Sequence, residues 1–135
     1  MAKRKKQMMF KAKKKEAIAK TIISPGRGVV RINARHLNLV EPPEVQTFIR
    51  EPLLLAGEAA HAFDFDVRVQ GSGPMSQAVA VRATLAKALA EHLGDDLRKK
   101  YLQYDRMLLV DDPRRTEPKK PLGPKARRKK QHSKR

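Results

Sequence analysis

The chain contains no cysteine and no tryptophan in its 135 residues. The absence of cysteine excludes disulfide bonds and zinc sites with thiolate ligands, and it agrees with a reducing compartment. Four phenylalanines and two tyrosines supply all the aromatic surface, so we expect a modest hydrophobic core. The length accommodates one small domain with appended segments.

Long hydrophobic segments are also missing. The longest apolar run, Leu53–Gly57, is far shorter than the roughly 20 residues of a membrane-spanning helix. The basic N-terminal segment lacks the apolar stretch of a secretory signal. We therefore expect no membrane association and a cytoplasmic location.

No catalytic or metal-binding pattern is visible in the sequence. The four histidines are scattered and show none of the spacings typical of metal sites: His36, His61, His92 and His132. The sequence therefore predicts a protein that is not an enzyme and that holds no metal or other cofactor.

Three aspartates near the C-terminal third resemble paired carboxylates. These residues, Asp105, Asp111 and Asp112, lie beside arginines in the sequence. Local ion pairing and turn capping therefore explain them better than acid–base chemistry does.

Positive charge is concentrated at the two ends of the chain. The formal net charge is +17, yet residues 21–112 hold eleven basic and twelve acidic residues. Residues 1–20 hold nine Lys and Arg against Glu16, and residues 113–135 hold eleven against Glu117. We divide the chain into a basic N-terminal arm (1–15), a globular domain (16–112) and an extended basic C-terminal tail (113–135).

The C-terminal segment is typical of a nucleic-acid-binding tail. Its four prolines prevent a long helix, and it has too little apolar material to form a core. A polycation of this kind matches the phosphate backbone of a nucleic acid. Aromatic residues are almost absent from both arms, which favours backbone contacts over base stacking.

Strand patterns alternate with turn signals in the first half of the chain. Ala17–Ile23 and Val29–Asn33 read as strands that flank the turn Ser24–Gly28, so they predict a hairpin. The segment His61–Gln70 alternates clearly between apolar and polar residues, as in a strand with one buried face.

Helical patterns follow prolines at three places in the chain. Pro42–Pro43 starts a predicted helix that ends at Glu51–Pro52, and Leu53–Ala56 starts a second short piece. The longest helix is predicted from about Met75 to Leu93, with a buried stripe at helical spacing, and Asp95 begins a further short helix. This element order predicts a two-layer α+β sandwich.

The turn between the third strand and the long helix is rich in glycine. Gly71–Gly73 lacks the spacing of a nucleotide-binding loop, but it leads into a helix N-terminus suited to a phosphate. An ordinary strand-to-helix turn explains it equally well. Arg82 lies near the apolar stripe of the following helix, from which it either extends to solvent or reaches a phosphate.

Ordered motifs along nearly the whole chain resemble the universal small-subunit ribosomal protein S9 family (uS9). The motifs are Lys13–Ala19, Pro25–Gly28, Asn33, Glu51–Leu53, Gly71–Gly73, Gln77–Ala78, Arg82, Ala88–Leu89, Tyr104–Arg106, Asp112–Pro118 and Ser133–Arg135. The segment from Tyr104 onward resembles the archaeal and eukaryotic type, and we favour the archaeal one. Lys134 stands where a tyrosine is often found in this type.

The resemblance implies a left-handed β-α-β crossover, as in the second domain of ribosomal protein S5, and a place in the head of the small subunit. It implies binding of 16S-type rRNA, neighbouring head proteins and the anticodon stem-loop of P-site tRNA. The implied tRNA-binding residues are Lys130, Ser133, Lys134 and Arg135. The implied rRNA-binding residues are Lys13, Lys14, Lys15, Arg27, Gly71, Gly73, Gln77, Arg82, Arg114, Arg115, Lys119, Lys120, Lys125, Arg127, Arg128 and Lys129.

Two alternative functions share the charge pattern. A free RNA chaperone or chromatin-type protein would have the same basic arms but would act away from the ribosome. A peripheral membrane protein would need a basic amphipathic helix or an acylation site, and the sequence has neither.

Overall fold

The computed structural model describes residues 7–133, which form five β-strands, three α-helices and three short 3-10 helices. The strands are β1 (Met9–Lys14), β2 (Ala17–Pro25), β3 (Val30–Ile32), β4 (Arg35–His36) and β5 (Phe63–Gln70). The α-helices are α1 (Pro43–Ala56), α2 (Pro74–Leu93) and α3 (Asp95–Tyr104), and the 3-10 helices are Leu37–Leu39, Gly57–Ala62 and Arg106–Leu108. No helix within residues 7–133 is both long and apolar enough to cross a bilayer.

The strands form one mixed sheet in the order β1-β2-β5-β3-β4. The predicted hairpin between the strands now labelled β2 and β3 is therefore wrong, because β5 lies between them. Phe65 in β5 pairs with Ile23 of β2 on one side and with Val30 of β3 on the other. A central position suits β5, because its apolar residues bury one face while its backbone pairs on both edges.

Two hairpins that the sequence analysis did not identify flank this centre. β1 and β2 pair antiparallel around the turn at Lys15, which has a φ of 51°. β3 and β4 pair around Asn33 and Ala34, whose φ angles of 49° and 67° suit a tight two-residue hairpin turn.

β1 comes from the segment assigned to the N-terminal arm. Its register runs from Met9 opposite Ile22 to Lys14 opposite Ala17. Ala12 is fully buried and Phe10 packs against the core, so residues 9–14 belong to the sheet. Among the described residues before β1, only two positions remain outside it.

The helices cover one face of the sheet. The predicted long helix is confirmed as α2, whose residues Ala78, Val81, Leu85 and Leu89 are buried against the sheet and α1. A buried hydrogen bond of 2.8 Å from the Thr21 hydroxyl to the Thr84 hydroxyl also joins β2 to α2.

α1 is continuous, although the sequence analysis divided it at Pro52. A proline inside a helix removes one backbone hydrogen bond, which packing can offset. Pro52 is buried, and its carbonyl oxygen accepts a 2.7 Å hydrogen bond from the hydroxyl of Tyr101 in α3. Leu53 then continues the packing against the core, so the helix extends to Ala56.

The predicted α+β class is confirmed. β3 and β5 are parallel neighbours, and the chain between them passes through α1, so this connection is a β-α-β crossover. Within residues 7–133 the second face of the sheet carries no helix, because α1, α2 and α3 all lie on the other side.

Candidate nucleic-acid interface

The turn between β1 and β2 presents three consecutive lysines in different environments. Lys13 is half-buried on the helix-free side, whereas Lys14 points towards the helical layer with only 11% of its side chain exposed. Lys15 lies in the turn itself and is exposed. Adjacent lysines of one motif therefore differ in exposure, because Lys14 is mostly buried and Lys15 is accessible to solvent.

Lys14 is held by Asp112, a residue 98 positions away. The same carboxylate accepts hydrogen bonds from the Arg114 backbone N–H (2.9 Å) and from the Arg114 guanidinium (2.7–3.1 Å). The hydrogen bond from the Arg114 side chain, followed by that from Lys14, holds the pKa of Asp112 well below its usual value of 3.8. Asp112 thus fastens the beginning of the tail to the end of β1.

This attachment forms a small basic cleft, defined by Lys14, Lys15, Arg114, Arg115 and Thr116, with a volume of about 380 Å³. Within residues 7–133, neither Lys15 nor Arg115 forms an ion pair with an acidic side chain. Both side chains are exposed. The cleft therefore offers two uncompensated cations from opposite ends of the chain.

The glycine turn, Gly71–Gly73, lies against the other side of the β1–β2 turn. Gly71 has a φ of 86°, and a side chain there would overlap the carbonyl oxygen of Glu16. Gln77 donates a 3.1 Å hydrogen bond from its side-chain amide to the Gly71 carbonyl oxygen. The sequence analysis assigned Gly71 and Gln77 to phosphate binding. These contacts give both residues a structural role instead.

Gly73 is different, because nothing lies within 4 Å of the position that its side chain would occupy. It precedes α2, whose N-terminus has no side-chain cap. Pro74 has no N–H, and the Gln77 N–H donates to the Gly73 carbonyl oxygen. The N–H groups of Met75 and Ser76 are therefore the ones open to an anion. They lie beside the lysine-rich turn, since Gly71 touches Glu16.

Two of the predicted rRNA-binding residues lie away from this region. Arg27 is exposed in the loop between β2 and β3, at the opposite end of β2 from Lys15. This loop surrounds the carboxylate of Asp64, which accepts hydrogen bonds from the backbone N–H groups of Arg27 (2.8 Å) and Val29 (2.9 Å). The hydrogen bond from Val29 is the largest cause of the lowered pKa of Asp64, followed by that from Arg27.

Arg82 is the second such residue, and it is buried. Its guanidinium lies 2.5 Å from a Glu51 carboxylate oxygen, 2.9 Å from one of Asp105, and 4.6 Å from the ring centroid of Phe48. Only 7% of the side chain is exposed. Arg82 therefore neither extends to solvent nor reaches the surface, and it links α1 and α2 to the segment before the tail.

The tail carries the remaining candidates as exposed side chains: Lys119, Lys120, Lys125, Arg127, Arg128, Lys129, Lys130 and Ser133. Residues 121–127 form a turn followed by bends, and the Glu117 carboxylate accepts hydrogen bonds from Lys120 (2.7 Å) and Arg127 (2.8 Å). These bonds, that from Lys120 first, lower the pKa of Glu117. Lys134 and Arg135 lie outside the described residues, and the full extension of the tail remains a prediction.

The chain matches the family model described as ribosomal protein S9/S16 over residues 12–135. It is 46% identical to the small ribosomal subunit protein uS9 of Methanococcus maripaludis strain S2 over 125 residues, which cover 89% of this chain and 93% of that protein. The uS9 proteins of M. maripaludis strain C5 and of Methanococcus vannielii are each 45% identical over the same shares. The chain belongs to the ribosomal protein S9/S16 family.

Family membership confirms the resemblance that the motifs indicated, including the archaeal type, since these relatives are archaeal. It identifies the chain as a uS9 protein of the small ribosomal subunit. The prediction that the chain is not an enzyme is confirmed by the same membership.

Sequence reasoning identified the acids that organise this uS9 interface, and the local pair of Asp112 with Arg114, but not their long-range partners. Turn capping was predicted correctly, because Asp105 accepts from the Met107 N–H and Asp112 from the Arg114 N–H. Burial would raise the pKa of Asp105, but the hydrogen bonds from Met107 and Arg82 outweigh burial and lower it. The ion pairs are mainly long-range, which a search among neighbouring arginines does not reveal.

A second long-range pair reinforces the attachment of the tail. The Lys87 ammonium of α2 lies 2.7 Å from an Asp111 carboxylate oxygen and 3.1 Å from the Lys11 carbonyl oxygen. Asp111 and Asp112 therefore connect to α2 and β1 respectively. The adjacent Asp111 and Asp112 before the tail are the sequence feature that indicates an attachment, but the sequence does not show which cations pair with them.

Proposed function

We propose that this uS9 protein binds small-subunit rRNA through the basic cleft, the adjacent N-terminus of α2 and the tail. The observation that carries the proposal is the cleft, where Lys15 and Arg115 converge without acidic partners. A cluster of unpaired cations beside open backbone N–H groups suits the phosphates of a folded RNA. Arg27 supplies a separate contact at the far end of the sheet, and Arg82 is left out.

The contacts are made to the RNA backbone. Neither the basic cleft nor the described part of the tail contains a phenylalanine, tyrosine or tryptophan, and His132 supplies the only aromatic ring there. Arg and Lys side chains instead neutralise phosphates and position the protein on RNA of a given shape.

The proposal extends to the end of the tail. Lys130, Ser133, Lys134 and Arg135 form a basic tip that contacts the anticodon stem-loop of P-site tRNA. The support is the exposure of Lys130 and Ser133, together with the family resemblance. The remaining partners are neighbouring proteins of the subunit head, on the cytoplasmic ribosome.

Salt dependence of RNA affinity tests the proposal. Full-length protein binding to 16S rRNA should lose affinity steeply with salt, with a slope of log K against log salt near about −6 if roughly eight cations contact phosphates. The double variant Lys15→Gln/Arg115→Gln should make this slope shallower by about 1.5.

A matched control removes two cations from the helical side. Lys99 and Arg106 are exposed and, within residues 7–133, form no ion pair, so Lys99→Gln/Arg106→Gln should leave the slope near that of the unmodified protein. A wild-type slope shallower than about −2 would contradict the proposal. So would equal slopes for the two double variants.

A further inference from the structure

The helix-free face of the sheet, here called the open sheet face, carries a row of three cations. Lys11 of β1 lies directly opposite Lys20 of β2, and Lys20 lies directly opposite Arg68 of β5. All three side chains are exposed. They point away from the helices, because their neighbours along each strand, such as Thr21 and Val67, are fully buried on the helical side.

Like charges placed directly opposite each other in a sheet are destabilising. Within residues 7–133, none of these three cations forms an ion pair with an acid. Asp64 lies on the same face but accepts hydrogen bonds from the loop before β3. Asp66 also lies on this face and forms no ion pair within residues 7–133, but it stands opposite Ile22 rather than in the row.

Two members of the row lie in a groove of about 700 Å³, whereas Lys11 is not among its lining residues. Lys20 and Arg68 line it together with the partly exposed apolar side chains of Ile18 and Ile22, and the β3–β4 turn at Asn33 forms its rim. Asn33 is fixed there because its side-chain amide exchanges hydrogen bonds of 3.1 Å and 3.0 Å with the backbone of Val69. The groove is thus preformed, and its lining combines two cations with the Asp66 carboxylate and a mainly apolar floor.

These features discriminate between kinds of partner. Cores of protein–protein interfaces are depleted in lysine and enriched in aromatic residues, whereas this groove has lysine and arginine and no aromatic lining residue. An RNA that bound by base stacking would also need aromatic side chains. A sugar–phosphate backbone fits both features, because its phosphates can pair with Lys20 and Arg68 while its sugar carbons pack on the apolar side chains.

We propose that the open sheet face is a second RNA-binding surface, in which Lys11, Lys20 and Arg68 contact phosphates of the rRNA backbone. The inference rests on the proposed function, because it assigns another part of the same RNA to a surface that is separate from the basic cleft and the tail. It also explains why a repulsive row is present in the free protein, since bound phosphates neutralise it.

The variant Lys20→Gln/Arg68→Gln tests this surface in the full-length chain, with 16S rRNA as the probe. Affinity at 0.1 M salt should fall by about tenfold or more, and the salt slope should become shallower by about 1.5. The melting temperature of the free protein should rise by about 1–4 °C, because cross-strand repulsion is relieved. If Lys20 and Arg68 had only a structural role, their substitution would not raise the melting temperature while it weakens RNA binding.

The control Lys99→Gln/Arg106→Gln should change neither RNA affinity nor melting temperature appreciably. If Lys20→Gln/Arg68→Gln binds 16S rRNA as tightly as the wild type, the open sheet face is not an RNA site, while the proposed function stands. Normal binding to naked rRNA with poor incorporation into small subunits would assign the face to a protein partner and overturn the inference. A shallow slope for the wild type would instead overturn the proposed function.

Discussion

Asp112 shows how one side chain positions a long, weakly structured segment. Its carboxylate binds Lys14 and Arg114 together, although these residues lie near opposite ends of the chain. The side chain is only 4% exposed, so few waters compete for its oxygens. A tail without its own core thereby begins at a defined place on the sheet.

The stability contributed by Asp112 should depend on pH. Because its folded-state pKa is depressed below the usual 3.8, the contribution is fully present above about pH 4–5 and is lost as pH falls further. We expect Asp112→Asn to lower the melting temperature at pH 7 and to have a clearly smaller, but not vanishing, effect near pH 2. Thermal unfolding of both proteins at the two pH values measures this difference.

Asp111 provides the comparison, because its pair with Lys87 is more exposed. Asp111→Asn should therefore cost less stability at pH 7 than Asp112→Asn does. An Asp112→Asn effect that persists unchanged at pH 2 would show that the carboxylate charge is not what stabilises the attachment.

Arg82 should contribute to stability rather than to RNA binding. Arg82→Met leaves Glu51 and Asp105 without their cation, and we expect a loss of about 3 kcal/mol in the free energy of unfolding. This is the lower end for a buried pair, because both carboxylates retain some contact with solvent. Urea unfolding measures the loss, and Arg98→Met, at an exposed pair with Glu91, should cost less than about 1 kcal/mol.

RNA binding by the same variant separates the two roles of Arg82. Under conditions in which Arg82→Met remains folded, its salt slope with 16S rRNA should equal that of the wild type. A slope shallower by about one unit would place the guanidinium on RNA after all.

At the scale of elements, the two glycines of the glycine turn should respond differently to alanine. Gly71→Ala places a side chain against the Glu16 carbonyl oxygen at a positive φ, so we expect a loss of about 2 kcal/mol or more. Gly73→Ala meets open space with a φ of −94°, so its cost should stay below about 1 kcal/mol. Denaturant unfolding of both variants compares them.

The same pair of variants tests the phosphate site at α2. If the backbone N–H groups at this N-terminus receive a phosphate, Gly73→Ala should weaken rRNA binding despite its small effect on stability. Equal losses of stability for the two variants would contradict the packing role of Gly71.

The period of hydrophobic residues predicted the elements that are long and half-buried. The alternation in Phe63–Gln70 and the stripe of α2 were sufficient, because burial on one face imposes a repeat on the sequence. β4 spans only Arg35–His36, which is too short for a repeat to appear. α1 was divided at Pro52 because the hydrogen bond from Tyr101 and the packing that sustain the helix come from elsewhere in the chain.

At the scale of the whole molecule, positive charge lies in two places, near the sheet and at the tip of the tail, and we assign a different RNA partner to each. In the proposed function, cations near the sheet hold the protein on rRNA, and the tip of the tail contacts tRNA. Deleting Ser133, Lys134 and Arg135 should therefore leave assembly of the small subunit nearly intact. P-site tRNA binding should weaken by about 1–3 kcal/mol, the range for charge-assisted hydrogen bonds to one or two phosphates.

Filter binding of tRNA to purified small subunits, with full-length or truncated protein at equal occupancy, measures this loss. Substituting Lys119 and Lys120 by glutamine removes two cations from the tail without changing its tip, and should leave tRNA affinity unchanged. Equal tRNA affinity for subunits with full-length and truncated protein would contradict the proposed tRNA contact, and the tail would then bind rRNA only.

The sequence by itself determined the class of the fold, the family and the kind of partner. The repeat of buried residues predicts strands and helices. The order of the motifs indicates the family. A large excess of cations indicates a polyanionic partner, whatever the arrangement of the cations in space. Only the tertiary structure decided which cations are available. Lys14 and Lys15 are neighbours with the same chemistry, yet one is buried against Asp112 and the other is free. Arg82 and Arg115 differ in the same way, because ion pairs join residues that folding brings together over long sequence distances, and no local pattern encodes those distances.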